Sequence, residues 1–310
     1  MTPDLLRLLT PIRDRARAKV GRAVAAGRAI KPPVMIGLVG AGIGASRSPA
    51  MHEGEGQRLG IPYAYELIDA DVLGFGAGDL PAILAWARQA DFTGLNVTHP
   101  FKQTIIPHLS TLSADAAAIA AVNTVVFRDG LTMAFNTDTS GFAESFRREL
   151  FDAPRAHVVQ VGAGGAGAAV ALALARLGVS RLSLFDIERA KAQALAQRLV
   201  GEIANGRIEV VTDLEATLAG TDGVINATPV GMAKYPGLPF ERRQLRRGLW
   251  VADVVYFPRE TELLAQARSI GCRTLSGIGM AVFQAVHAFK LFSGEDADPN
   301  RMQALLEQAG

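Results

Sequence analysis

The run Val159-Gln160-Val161-Gly162-Ala163-Gly164-Gly165-Ala166-Gly167 closes an apolar strand candidate with closely spaced glycines and opens an alanine-rich helix candidate. Glycines so placed allow a tight turn and close backbone approach to a pyrophosphate, which the first amides of the helix can hold against its dipole. Glycine-rich turns also serve as plain strand-to-helix connections. Here, however, a second strand candidate follows in order, Ser180-Arg181-Leu182-Ser183-Leu184-Phe185, and it ends in Asp186. An acid about 20 residues beyond the glycines accepts hydrogen bonds from the adenosine ribose, so the combination reads as a dinucleotide site that prefers NAD.

A second group of reactive side chains precedes it. Asn96-Val97-Thr98-His99-Pro100-Phe101-Lys102 places an amide, a hydroxyl and an ammonium within one short run, expected to leave a strand and enter a helix. Such groups can hold a carboxylate or several hydroxyls. Alone, a capped helix with a surface lysine would explain them as well. They are not alone: Ala121-Val122-Asn123-Thr124 and Phe135-Asn136-Thr137-Asp138-Thr139-Ser140-Gly141 add amides and an acid, each after an apolar run. Asn226-Ala227-Thr228-Pro229-Val230-Gly231-Met232 and Asp253-Val254-Val255-Tyr256-Phe257-Pro258 also follow strand candidates. Strand carboxyl ends face the ligand crevice of open α/β sheets.

The elements that must position these residues read as α/β. Strand candidates at 35–39, 63–67 and 94–97 alternate with helix candidates at 49–59, 80–90 and 114–121, which would cover a mostly parallel sheet. A second set begins at 156 and continues through strands at 208–211, 223–226 and 249–254, with helices at 166–177 and 189–199. Phe142, Phe146 and Leu150 give 139–150 the spacing of a linking helix, a hinge about which a cleft could close. Helices at 280–292 and 300–307 could return to the first domain. The expectation is a two-domain chain. Residues 1–138, with an N-terminal extension over 1–30, form an α/β substrate domain completed by 277–310, and 139–276 form a Rossmann-type NAD-binding domain.

Composition agrees with that size and class. At 310 residues, 49% hydrophobic and 20% charged, the chain can bury two cores, since about 150 residues is a common domain size. A net charge of +2 with interspersed signs argues against nucleic acid or membrane partners and for small molecules. Cys272 is the single cysteine, so no intrachain disulfide forms and a reducing cytoplasm fits; within Gly271-Cys272-Arg273-Thr274-Leu275 it reads as a buried structural thiol. No apolar run is long enough to span a bilayer, and the start lacks a secretory pattern. Residues 12–28, rich in Arg and Ala, superficially resemble a transit peptide, but Asp4 and Asp14 favour a solvated helix. His52, His99, His108, His157 and His287 show no metal-ligand pairing, so no metal is expected.

Together the motifs resemble those of the shikimate dehydrogenases and the related quinate/shikimate dehydrogenases. The resemblance runs from about residue 34 to 292. It rests on Ser46-Arg47-Ser48-Pro49-Ala50-Met51-His52, the 96–102 run, 121–124, 136–141, 162–167, 226–232, and 277–284 with the following Ala288-Phe289-Lys290-Leu291-Phe292. It implies that Ser46 and Ser48 bind a substrate carboxylate, that Thr98, Asn123 and Gln284 hold ring hydroxyls and carboxylate, and that Lys102 and Asp138 are the catalytic pair. A cap for the helix after Pro49 is a compatible second role for Ser48. The cofactor falls to Gly162, Ala163, Gly164, Gly165, Ala166, Gly167, Asp186 and Arg189, with Thr228, Val255 and Gly277. Oxidising a secondary alcohol to a ketone needs a hydride acceptor, which the dinucleotide supplies, and a group to take the proton. A lysine titrating near its usual ~10.4 suits proton donation to a ketone, while acting as base calls for desolvation or cationic neighbours. Lys102 is read as the acid/base and Asp138 as its orienter.

Family members that use NADP typically carry Asn-Arg-Thr after the second strand, whereas this chain has Asp186-Ile187-Glu188. Two unit charges about 4 Å apart at an effective dielectric of about 20 repel by about 4 kcal/mol, so these acids disfavour a 2′-phosphate; Arg189 keeps NADP as a weaker alternative. His52-Glu53 likewise resembles the NAD-using quinate/shikimate branch. The expected reaction is reversible NAD-dependent oxidation of the C3 hydroxyl of shikimate, quinate or both, by a cytoplasmic monomer or homodimer. The alternatives are an NADP-using shikimate dehydrogenase, an amino-cyclitol acid dehydrogenase and a non-catalytic NAD-binding regulator.

Overall fold

The computed structural model describes residues 3–27, 30–203 and 206–308. The ends of the expected extension (1–30) and of the returning segment (277–310) therefore lie in part outside the described residues. Packing divides the chain into two units, Met1–Thr137 with Ala285–Gly310, and Asp138–Gln284.

The first unit contains α1 (Pro3–Ala25), β1 (Val34–Gly40), α2 (Ser48–Arg58), β2 (Tyr63–Asp69), the short α3 (Ala70–Leu73), α4 (Leu80–Gln89), β3 (Gly94–Val97), β4 (Thr111–Leu112), α5 (Ala114–Ile119), β5 (Thr124–Arg128) and β6 (Leu131–Phe135). Its sheet runs β2-β1-β3-β5-β6-β4. β1 is parallel to β2 and β3, but β5 is antiparallel to both β3 and β6. The antiparallel pair is a tight hairpin: Arg128 faces Leu131, and Asp129 and Gly130 between them take φ of 52° and 77°. Two successive left-handed residues are what a two-residue turn needs to follow the twist of its strands.

α1 corrects the expectation of a solvated helix, because Leu5, Leu9, Ile12 and Ala16 are buried in the same core as Met35, Ala64, Ile68 and Trp86. Its polar side pairs with the sheet and with α2, Lys19 Nζ lying 2.7 Å from Glu53 and 3.0 Å from Glu66. An apolar stripe at helical spacing, and not charge alone, decides where this helix lies.

The second unit begins in α6 (Thr137–Glu149) and continues with β7 (His157–Val161), α7 (Gly165–Arg176), β8 (Arg181–Phe185), α8 (Arg189–Arg198), β9 (Arg207–Val210), α9 (Leu214–Leu218), β10 (Gly223–Asn226), β11 (Trp250–Asp253), α10 (Glu262–Ile270), β12 (Arg273–Leu275) and α11 (Gly277–Ser293). Its sheet is parallel throughout, in the order β12-β11-β10-β7-β8-β9. Strand order reverses at β7, whose carboxyl end carries the glycine turn. Trp250 is fully buried, its indole donating to Pro154 O at 2.7 Å and meeting Phe146 edge-on with centroids 5.2 Å apart.

The tail of α11 and α12 (Pro299–Gln308) belong to the first unit. Fully buried Glu55 of α2 accepts two bonds from Arg301, at 2.9 and 2.7 Å, and one from Asp298 N at 3.0 Å. A fork of charge-assisted bonds thus compensates a carboxylate removed from water and holds α12 against α2.

Candidate active site

In the first unit the candidate substrate residues stand at strand ends. The loop after β1 is pinned by Asp69, which accepts from Gly42 N at 3.0 Å and Ile43 N at 2.9 Å. That fixes the start of the segment bearing half-buried Ser46 and Ser48. The helix begins at Ser48 itself, with Arg47 at the cap position and no side-chain cap. Ser46 Oγ instead accepts from Ser48 N at 3.3 Å, which corrects the reading of Ser48 as the cap.

Thr98 follows β3, its amide bonded to Val39 O at 2.9 Å. The run to Lys102 does not enter a helix as expected. Pro100 has no N–H to offer, and the chain makes successive turns, with Phe101 N bonded to Thr98 O at 2.8 Å and Ile105 N to Phe101 O at 3.1 Å. Phe101 is buried and stacks on Phe75, anchoring the turn. Lys102 is half-buried, and its carbonyl accepts from Val122 N at 2.8 Å. This bond ties the lysine's segment to the chain that enters β5 with Asn123.

Asn123 sits in a buried polar network. Its Oδ1 accepts from Thr137 N at 2.8 Å and Thr124 Oγ1 at 3.0 Å, and its Nδ2 donates to Thr137 Oγ1 at 3.0 Å. Asn96 donates to Asn123 O and to Thr124 Oγ1, both at 3.0 Å, and accepts from the Tyr65 hydroxyl at 2.9 Å. Asp138 is buried and directly follows Thr137 in the first turn of α6, where a helix dipole favours an anion.

In the second unit the cofactor candidates converge on the carboxyl ends of β7, β8, β10 and β11. Gly162 takes a φ of +103°, and a Cβ there would lie 2.8 Å from the Ala227 carbonyl and 2.9 Å from the Thr228 methyl. A Cβ on Gly167 would collide with Gly162 O, whereas one on Gly164 would meet open space. α7 starts at Gly165 with no side chain capping its first amides. The Asp186 carboxylate accepts from Ala163 N at 2.7 Å and from Glu188 N at 2.8 Å, so the acid is joined to the glycine turn. Arg189 is exposed at the first position of α8. Buried Gly277 has room for no Cβ against Val254 O and packs on the backbone of Val254 and Val255. Gln284, on α11, donates to Ala281 O at 3.0 Å. Open space at Gly164, uncapped amides and an anchored carboxylate fit a pyrophosphate flanked by a ribose diol.

Three residues of this unit, two of them opening the 226–232 and 253–258 runs, act as braces, a role the sequence does not state. Buried Gln160 donates to Gly162 O and Gly167 O, both at 2.8 Å, closing the glycine turn from beneath. Asn226 and Asp253 end β10 and β11, and Asn226 Nδ2 donates to Asp253 Oδ1 at 2.9 Å. Each is a polar residue in a strand whose other members are nearly all buried and apolar, a signal present in the sequence. Burial pushes the Asp253 carboxyl up from the usual 3.8 to about 6, against hydrogen bonds from Thr261, Val255 and Asn226 that favour its charged form. Cys272 is buried, its thiol 3.3 Å from Arg246 O, and burial raises it.

A family model described as the shikimate dehydrogenase substrate binding domain matches residues 38–125. The chain is 51% identical over 279 residues to a shikimate dehydrogenase (NADP(+)) of Streptomyces avermitilis, covering 89% of this chain and 96% of that one. It is 46% identical over 274 residues to a quinate/shikimate dehydrogenase (NAD(+)) of Corynebacterium efficiens, covering 87% and 96%. Among solved structures, quinate dehydrogenase from Corynebacterium glutamicum in complex with NAD superposes with a TM-score of 0.84 at 44% identity, covering 90% of this chain and all of that one.

Proposed function

We infer the chemistry from kinship and the cofactor from local residues: this chain belongs to the shikimate dehydrogenase family and is an oxidoreductase acting on shikimate and quinate, with NAD as its cofactor. The observation that carries the cofactor reading is the 2.7 Å bond from Ala163 N to Asp186, which holds a carboxylate beside the dinucleotide turn where a 2′-phosphate would otherwise be welcomed. Relatives are named for either cofactor. The Asp186-Ile187-Glu188 sequence of this chain is what favours NAD.

In the mechanism we propose, Ser46 and Ser48 donate hydrogen bonds to the substrate carboxylate, and Thr98, Asn123 and Gln284 orient the ring through its hydroxyls and carboxylate. Bound NAD would supply the acceptor for the hydride that leaves C3. Lys102 takes the proton from the C3 hydroxyl as the carbon–oxygen bond becomes a ketone, and returns a proton in the reverse direction. Asp138 orients the lysine amine toward that oxygen. The backbone bond between Lys102 and Val122 supports this assignment, because it fixes the lysine's segment relative to Asn123. Gly162 to Gly167, Asp186, Arg189, Thr228, Val255 and Gly277 bind the dinucleotide.

Replacing Lys102 with Ala is expected to lower kcat by about two to four orders of magnitude, the usual worth of a positioned acid/base, while NAD binding followed by fluorescence stays intact. Near-normal turnover would remove Lys102 from the reaction. The lone buried thiol supports a reducing cytoplasm, and a monomer or homodimer is the assembly we propose.

A further inference from the structure

Buried Asp253 has no part in the mechanism above, yet it joins the two loops that leave β10 and β11. Its Oδ1 accepts from Asn226 Nδ2 at 2.9 Å and from Val255 N at 3.0 Å, and its Oδ2 accepts from Thr261 Oγ1 at 2.7 Å. Through Asn226 the reach extends further. Asn226 Oδ1 accepts from Thr228 N at 3.0 Å and Thr228 Oγ1 at 2.6 Å, and Asn226 Nδ2 also donates to Val230 O at 2.8 Å. One carboxylate therefore sets the backbone of both Thr228 and Val255. Those two segments are in turn the surfaces on which Gly162 and Gly277 close without room for a Cβ.

Their place in the sheet says which part of the cofactor they meet. The order is β12-β11-β10-β7-β8-β9, with the glycine turn at the end of β7 and Asp186 at the end of β8. A dinucleotide lying across the reversal of strand order with its pyrophosphate on the β7 turn puts its adenosine on the β8 side. The other half, which carries the nicotinamide, then lies over the ends of β10 and β11. Those are the two strands whose loops Asp253 holds.

We propose that Asp253 is the positioning residue of the nicotinamide half of the cofactor site, acting through Val255 and, by way of Asn226, through Thr228. The proposal rests on the dinucleotide reading of the second unit. It separates two duties: the glycine turn and Asp186 supply grip on the ADP-ribose portion, and Asp253 supplies the alignment of the ring that takes the hydride. Hydrogen-bond geometry is what matters, because an asparagine at 253 can still accept from Asn226 and Val255 through its oxygen and can donate to Thr261 through its nitrogen.

The test is equilibrium titration of NAD and, separately, of ADP-ribose against the full-length protein and its variants, with thermal unfolding as a check on the fold. Asp253→Ala is expected to weaken NAD binding about tenfold or more and to leave ADP-ribose binding within about twofold, since ADP-ribose lacks only the nicotinamide ring that the Thr228 and Val255 segments align. Asp253→Asn is expected to restore NAD binding to within a few-fold of the natural protein. If Asp253→Ala fails to fold, Thr261→Val, which removes the bond to Oδ2, is expected to show a smaller loss with the same selectivity, and Thr261→Ser to reverse it. Unchanged NAD binding in a variant that lacks these bonds, or equal weakening of NAD and ADP-ribose, overturns the proposal while leaving the dinucleotide site intact. A natural protein that binds neither ligand overturns that underlying reading, and the proposal with it.

Discussion

Asp253 is a carboxylate taken out of water and compensated by neutral donors, and its raised folded-state value of about 6 has a thermodynamic consequence. A carboxyl whose value rises on folding stabilises the folded state fully below its unfolded value. That contribution is lost as the pH climbs through the folded value. A shift of about two units corresponds to about 3 kcal/mol as an order of magnitude, so charged Asp253 costs stability above about pH 6. Asp253→Asn removes this titration. Its Tm relative to the natural protein is expected to rise between pH 4 and pH 7, and an unchanged difference over that range would show that the buried charge costs nothing. The same residue marks what sequence alone reveals at this scale. The glycines and Asp186 were legible because their residue types and spacing already state a chemical purpose. Asn226 and Asp253 stand out at strand ends, but their bracing role, like that of Gln160, is not legible, since a brace is defined by which neighbours the sheet brings to it.

Among the elements, those with one strong pattern were legible and those needing a partner were less so. β3 and β10 fall at their expected residues because short apolar runs bounded by turn residues leave little freedom. The hairpin of β5 and β6 went unread although Asp129-Gly130 is a strong turn signal, and its antiparallel pairing interrupts an otherwise parallel pattern. The segment after β3 looked like a helix entrance from its polar residues, but Pro100 and the anchoring of Phe101 turn it instead. For α1, the Arg- and Ala-rich stretch at 12–28 reads as solvated, while Leu5 and Leu9 upstream carry the apolar stripe. Fully buried Leu9 makes this helix part of the core, so Leu9→Ala is expected to destabilise the protein by about 2–5 kcal/mol, read as a fall in the urea midpoint. No shift would mean that α1 is an appendage and does not belong to the packed unit.

At the scale of the whole molecule, the chain crosses between its two units twice, once between Thr137 and Asp138 and again between Gln284 and Ala285. Asp138 and Gln284, one proposed to orient the lysine and the other to hold substrate, are therefore the first and last residues of the unit proposed to bind the cofactor. Ser46, Ser48, Thr98, Lys102 and Asn123 belong to the other unit. The family relationship leaves the choice of cofactor open, because relatives of comparable identity are named for NAD and for NADP. The local chemistry of residues 186–188 has to make that choice. Steady-state kcat/KM for shikimate and for quinate, each with NAD and with NADP, measures it directly. We expect turnover of both acids and a preference for NAD of about tenfold or more, the residue of a charge repulsion weakened by solvent. A clear preference for NADP, or failure to oxidise either acid, would contradict the account.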